Sequence, residues 1–288
     1  MPTCILCGSS PKKHRQINDA TGSFTYCECS NKKCGLFYQY PFPSNSALQQ
    51  IYSREYYKNW GGYYANREQI RTQKKLTYAQ AFEKKDLLPG SKVLDCGCAT
   101  GALLQWGTEH GWDVYGVDIN PVAIEESKQI VADDHLHLGT LNTVPFTQSF
   151  FDALCMFDYI EHPADPREVI TQAAFLLKQN GILYVTTPDT SHWLMHVLNR
   201  YWPHFLREHL HLFSERSITM LLVPDFNITY CGSFKKVLTF AYVFDWIIHH
   251  NLFFAPLARF VRSVFPPSLL FKKIKITTSE ILVIAKRK

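Results

Sequence analysis

Charge is scarce in this chain. Of its 288 residues only 19% are Asp, Glu, Lys or Arg, below the quarter usual for soluble domains. That excludes a disordered or heavily solvated chain. No run of roughly 18 apolar residues occurs, so no membrane-spanning helix is expected. The opening Met1-Pro2-Thr3-Cys4 has no apolar stretch of the secretory kind, so a cytoplasmic protein is expected. No internal repeat or low-complexity segment stands out. Histidines number 12, yet none form the H-E-x-x-H pattern of a helical zinc site.

A clustered basic stripe is missing too. Net charge is +5, and much of the excess sits near the C-terminus at Lys272, Lys273, Lys275, Lys286, Arg287 and Lys288. This gives a weak attraction to anionic partners, not a strong nucleic-acid signal. What the chain has is apolar substance. Hydrophobic residues make up 46%, and the length suits one full α/β domain with small additions.

The stretch Val93-Leu94-Asp95-Cys96-Gly97-Cys98-Ala99-Thr100-Gly101 organises the rest. It reads as a buried strand that breaks into a glycine turn and opens a helix. The small residues at 97, 99 and 101 let a ligand approach the backbone. About 20 residues on, the strand Asp113–Val117 ends in Asp118. An acid there can accept hydrogen bonds from the two hydroxyls of a ribose. A dinucleotide fingerprint needs G-x-G-x-x-G, but this row is D-x-G-x-A-x-G. A carboxylate beside the turn repels a pyrophosphate and attracts an ammonium, which disfavours a nicotinamide oxidoreductase.

The row resembles motif I of the class I S-adenosylmethionine-dependent methyltransferases, with Ala99 in place of the middle glycine. The resemblance implies an α/β, Rossmann-like, doubly wound seven-stranded sheet. It also implies S-adenosylmethionine as cofactor, held by Asp95, Cys96, Gly97, Gly101, Asp118, Ile119, Leu141 and Asp158. Asp95 and the turn would hold the methionine part and Asp118 the ribose. Thr140, Leu141 and Asn142 sit where the family contacts adenine. The run Phe151–Phe157, Asp158-Tyr159-Ile160-Glu161-His162-Pro163 matches a family segment at a strand end. There His162 is a candidate general base with Glu161 orienting its ring. Glu208-His209-Leu210-His211-Leu212-Phe213-Ser214 resembles the segment bordering the acceptor pocket, which makes His209 a second candidate. Glu161 and His162 also admit a purely structural reading, because a sulfonium is already activated and positioning alone goes far.

Five of the nine cysteines lie in the first 34 residues. Cys4 and Cys7 form a C-x-x-C knuckle, and Cys27, Cys29 and Cys34 follow about 20 residues later. Two thiolate pairs at that separation suit a tetrahedral structural zinc ion, and a segment so short needs such a staple. The favoured ligands are Cys4, Cys7, Cys29 and Cys34; Cys27 with Cys34 is the alternative second pair. The module also resembles the zinc-binding segment preceding the methyltransferase domain in some bacterial small-molecule methyltransferases.

The expected organisation is a zinc-ribbon-like module over 1–40, an aromatic linker and leading helix over 41–90, and a catalytic domain over 91–288. Tyr52, Tyr56, Tyr57, Trp60, Tyr63 and Tyr64 offer faces to a cationic donor. Strands are expected at Ile182–Thr187, Asn227–Phe234 and Glu280–Ala285, and helices at 65–86 and Arg167–Leu177. The apolar residues 236–278 would form a helical lid, with weak membrane-surface contact as a further expectation. The implied reaction is O-, N- or C-methylation of a sugar, quinone-like or other small-molecule acceptor. RNA methylation and a non-catalytic assembly role are the alternatives.

Overall fold

The computed structural model describes residues 3–19, 22–44, 47–48, 63–84, 87–249 and 255–288. Most of the aromatic cluster expected to face a cationic donor, from Tyr52 to Trp60, lies outside them. Two sheets organise the molecule. The larger has seven strands in the order β10-β11-β8-β7-β4-β5-β6. Its centre is β4 (Lys92–Cys96), flanked by β5 (Asp113–Asp118) and β7 (Phe151–Phe157). Pairing is parallel from β6 (Leu136–Leu138) through β8 (Leu177–Pro188). β11 (Lys273–Arg287) then inserts antiparallel between β8 and β10 (Phe226–Thr239). This is the Rossmann-like doubly wound arrangement that the alternating sequence implies.

The central strands are apolar on both faces because helices cover both. Leu94, Leu154, Leu183 and Val283 are all fully buried, each worth about 2 kcal/mol of transfer from water. Local chemistry fixes the helix starts. Asp165 accepts from the N–H groups of Arg167 and Glu168, and Pro166 opens α4 (Pro166–Leu176). Asn120 caps α3 (Pro121–Ser127) in the same way, again ahead of a proline. Proline has no N–H to leave unpaired in a first turn. Two further helices stand by the site, α1 (Tyr63–Phe82) and α2 (Ala102–Glu109).

Several boundaries differ from expectation. α1 ends at Phe82 instead of running to 86, and α4 stops at Leu176 because β8 begins at Leu177. The largest difference lies in the last hairpin. Pairing continues from Phe226↔Arg287 to Thr239↔Lys273, with a register shift between Phe234 and Lys235. β8 stops pairing with β11 at Pro188↔Glu280. The hairpin therefore rises past the C-terminal edge of the sheet as a two-stranded arm. Apolar periodicity marked only its sheet-bound half; Lys235–Thr239 and Lys273–Thr277 lack the continuous apolar run of a covered strand. Among the described residues, helical insertion is confined to α7 (Phe240–His249), α8 (Ala255–Val264) and α9 (Pro267–Leu270), narrower than 236–278.

The smaller sheet has the order β1-β2-β3-β9. β1 (Pro11–Asp19), β2 (Gly22–Cys29) and β3 (Phe37–Gln39) come from the cysteine-rich segment. The fourth strand, β9 (His211–Leu212), comes from within the chain's α/β part and pairs antiparallel with β3.

Candidate active site

The cleft opens where the parallel strands end, with a volume of about 1000 Å³. Its floor is the turn after β4. Gly97, Ala99 and Gly101 have φ of 73°, 46° and 74°, a left-handed path that favours glycine. A side chain at Gly97 would begin 2.9 Å from the Tyr159 ring, so the turn stays narrow. Asp118, at the end of β5, ties the turn down. Its two carboxylate oxygens accept from Ala99 N–H at 2.9 Å and Asn120 N–H at 2.8 Å. The Ile119 N–H also bonds this carboxylate, and the four lone-pair sites of a carboxylate leave capacity for a ligand hydroxyl.

The acids on this wall are buried. Burial pushes Asp95 up to about 7, opposed by the Lys74 ammonium of α1. Asp118 is raised as well, chiefly by burial, with the Asn120 and Ala99 N–H bonds pulling the other way. Asp158 is the exception. Burial would raise it, but the Lys236 ammonium outweighs this and holds the carboxyl below its ordinary range. Lys236 Nζ lies 3.0 Å from Asp158 and 2.6 Å from Glu280, placed there by the projecting hairpin. Asp158 itself has φ 54°; Thr186 accepts its N–H through both carbonyl and hydroxyl at 3.1 Å.

The opposite wall carries Glu161, His162, Glu208 and His209. His162 Nδ1 lies 3.0 Å from the Glu208 carbonyl, which can only accept, so this bond requires the proton on Nδ1; the Asp158 carbonyl is a second acceptor for the ring. The expected orienting role of Glu161 is therefore corrected at this nitrogen: the Glu208 carbonyl holds it. Glu161 Oε2 instead accepts from Thr187 Oγ1 at 3.0 Å, and its Oε1 is buried without a partner. Burial lowers His162 to about 4 and pushes Glu161 well up. His209 is also held down, by burial and then by the neighbouring His162. Its Nδ1 lies 2.9 Å from the His204 carbonyl, and its ring meets His162 edge-on at 5.0 Å. Glu161, His162 and His209 offer ligand atoms within 4.8 Å of one another. The absence of an H-E-x-x-H spacing did not foresee this, because the three converge through tertiary structure.

The other expected residues sort themselves. Asp95, Gly97, Asp118, Ile119, Leu141 and Asp158 line the cleft, as do Thr140 and Asn142. Cys96 does not: it is fully buried in the core, because alternation along β4 turns it away from Asp95. Gly101 lies behind the turn as the residue before α2, where a side chain would strike Ile130. Lys74, Lys236, Glu280 and His204 line the cleft without a motif to announce them. The one signal was Glu280, an acid heading an otherwise apolar run.

Away from the cleft, the sulfurs of Cys4, Cys7, Cys29 and Cys34 lie within 4.8 Å of one another. Cys4–Cys34 is 3.7 Å and Cys7–Cys29 is 3.4 Å. Four thiolates around zinc with bonds near 2.3 Å would stand about 3.8 Å apart, so the donor set fits that ion. Cys4 is held at about 5 by the hydrogen bond from Cys34, whose own thiol is pushed up in turn. Cys27 faces elsewhere, its sulfur 3.2 Å from His14 Nδ1.

Comparison with known proteins agrees with this architecture. Proteins named ubiquinone biosynthesis O-methyltransferase are similar to part of the chain. The one from Haemophilus ducreyi is 31% identical over 113 residues, 36% of this chain and 48% of that protein. The mitochondrial one from Schizosaccharomyces pombe is 30% identical over 114 residues, 38% and 42% of the two chains. The chain thus spans about half the length of the curated relatives it matches. Among solved structures, the PH0226 protein of Pyrococcus horikoshii superposes with a TM-score of 0.55 at 15% identity, over 82% of this chain and 100% of that one. An S-adenosylmethionine-dependent methyltransferase of Thermotoga maritima gives 0.51 at 18% identity, over 81% and 98%. These likenesses show the fold. A family profile described as "Methyltransferase domain" matches residues 63–223, from the first residue of α1 to the end of α6 (Glu215–Leu222) and covering both walls of the cleft, and the chain belongs to that family.

Proposed function

We propose that this chain transfers the methyl group of S-adenosylmethionine to a hydroxyl oxygen of a small-molecule acceptor. One observation carries the reading: two buried acids flank a left-handed glycine turn, and neutral histidines face them across the same cleft. When bound, the sulfonium supplies an activated methyl group and leaves as a neutral thioether. Asp95 would take the donor's ammonium, and Asp118 the ribose hydroxyls through its spare lone pairs. Thr140, Leu141 and Asn142 would border the adenine. An imidazole on the facing wall would receive the hydroxyl proton as the O–C bond forms and the C–S bond breaks. His162 and His209 are the candidates; general-base help of this kind is worth about 10²–10⁴-fold, and in-line positioning supplies more. Oxygen is favoured over nitrogen or carbon because the similar relatives are named O-methyltransferases.

In this reading residues 1–40 are a structural zinc module, with four thiolates and no open position for chemistry. Residues 41–90 lead into the catalytic part, 91–288. The exposed apolar side of α8, with exposed lysines at 272, 273 and 275 following in the chain, suits contact with an anionic membrane surface, consistent with an apolar acceptor.

The test is calorimetric titration of the folded protein with S-adenosylhomocysteine. Binding in the range of about 1–100 μM, weakened at least about tenfold by Asp118→Ala, is expected. No binding by the folded, zinc-loaded chain would sink the reading and favour the assembly-module alternative.

A further inference from the structure

We infer that the cysteine module positions the acceptor wall of the cleft, and that Tyr26 and Gln39 are the positioning residues. The inference rests on the reading of the cleft given above. The wall's loop runs from 204 to 210 and carries Glu208 and His209. Such a loop exposes carbonyls that need donors, and the donors come from the module. Gln39 Nε2 lies 2.8 Å from the His209 carbonyl, 3.0 Å from that of Leu206 and 3.0 Å from that of Arg207. Tyr26 Oη lies 2.6 Å from the His209 carbonyl and 2.9 Å from that of Leu206. An amide has two protons and a phenol one, so three protons serve these three carbonyls, with Tyr26 Oη a further acceptor 3.3 Å from Gln39 Nε2. The next carbonyl, Leu210, accepts from the backbone N–H of Gln39 at 2.9 Å. The one remaining, Glu208, is the carbonyl that holds His162 Nδ1 at 3.0 Å.

Each carbonyl from 206 to 210 is thus engaged, four by the module and one by the candidate base. Tyr26 is fully buried and Gln39 is 2% exposed. A buried amide is costly unless its bonds are made, so Gln39 is ill-suited to simple packing. Both residues stand on the strands that lead to the sulfur cluster: Tyr26 on β2 with Cys29, and Gln39 on β3, which follows Cys34. The cluster is itself docked on the α/β part. Arg167, at the start of α4, donates to the carbonyls of Ile5 and Leu6, between Cys4 and Cys7. Ser214 donates to the Cys34 carbonyl at 3.2 Å. A continuous chain of bonded groups therefore runs from the sulfurs to the His162 ring. The glycine turn and Asp118 take no part in it.

The experiment uses the full zinc-loaded chain, wild type, Gln39→Leu and Tyr26→Phe. Imidazole ¹⁵N shifts read the His162 tautomer, hydrogen exchange reads residues 204–212, and calorimetry reads S-adenosylhomocysteine. Wild type should show the Nδ1–H tautomer. Gln39→Leu should shift it toward the ordinary Nε2–H form and speed exchange in 204–212 by about tenfold or more. S-adenosylhomocysteine affinity should stay within about twofold. Tyr26→Phe keeps the ring and should move the same readouts less; it carries the test if Gln39→Leu does not fold. An unchanged tautomer and unchanged exchange in a folded variant would overturn the inference. So would a parallel loss of cofactor-product affinity, which would make the module a general support. Failure of wild type to bind S-adenosylhomocysteine would count against methyl transfer alone, because the tautomer and exchange readouts need no ligand.

Discussion

Asp95 shows how one buried carboxyl can set the pH response of a site. Its folded value is about 7, against 3.8 for a free carboxyl. A raised acid binds its proton more tightly when folded. Its contribution to stability is present at low pH and declines as pH rises from about 4 to 7. A ligand ammonium needs the ionised form, so affinity should move the other way. S-adenosylhomocysteine should bind up to about tenfold more tightly at pH 8 than at pH 6. Asp95→Asn should flatten that slope in calorimetry; a slope kept in the variant would place its origin elsewhere. His162, held near 4, is neutral across this range and contributes nothing to it. The acids and glycines of this turn were legible in sequence because a positive φ restricts which residues fit. Cys96 was not, because only the facing of β4 separates it from Asp95. Glu208's carbonyl was illegible for a simpler reason: a backbone group has no letter of its own.

At the scale of elements, the projecting hairpin matters most. It carries Lys236 and Glu280 to the cleft, and it holds α7 to α9 beyond the sheet. Sequence periodicity recovered the central strands because they are covered on both faces. It missed the hairpin's outer half, Lys235–Thr239 and Lys273–Thr277, where lysines and threonines interrupt the apolar residues and β8 no longer pairs. α8 presents Leu257, Phe260 and Val264 on one side, at 59, 65 and 62% exposure. Their i, i+3, i+7 spacing puts them on one stripe; Arg259 on the same helix and Lys272, Lys273 and Lys275 after it in the chain are exposed too. Among the described residues no helix is long and apolar enough to cross a membrane, so any such contact would lie in the surface plane. The protein should co-sediment with vesicles containing phosphatidylglycerol, less so at high salt, and Leu257→Glu with Phe260→Glu should abolish it. Equal retention on pure phosphatidylcholine, or none on either, would contradict a charged apolar contact. In that case a protein partner for the stripe becomes the better explanation.

For the whole molecule, the small sheet is inseparable from the large one because its fourth strand, β9, is supplied by the α/β part of the chain. Metal loss should therefore reach beyond the first 40 residues. Chelation is expected to lower Tm by roughly 10 °C, as the loss of about 3–5 kcal/mol would, in one cooperative transition. Two separate transitions in scanning calorimetry would show that the module melts alone. The sulfur knuckles and the doubly wound fold were both legible, the first from spacing and the second from alternation. Their attachment was not, since a two-residue strand leaves no periodic trace.

Both sheets share one further property, the order in which their strands are made. β1 to β3 wait for β9, and β8 and β10 wait for β11, which follows them in the chain and lies between them in the sheet. Until residues 273–287 leave the ribosome, the flank of β8 is an open edge lined by apolar side chains, a template for wrong pairing. This chain cannot complete its main sheet piece by piece during translation. A nascent protein of this shape depends on protection of that edge from the emergence of β8 (Leu177–Pro188) until β11 (Lys273–Arg287) follows it.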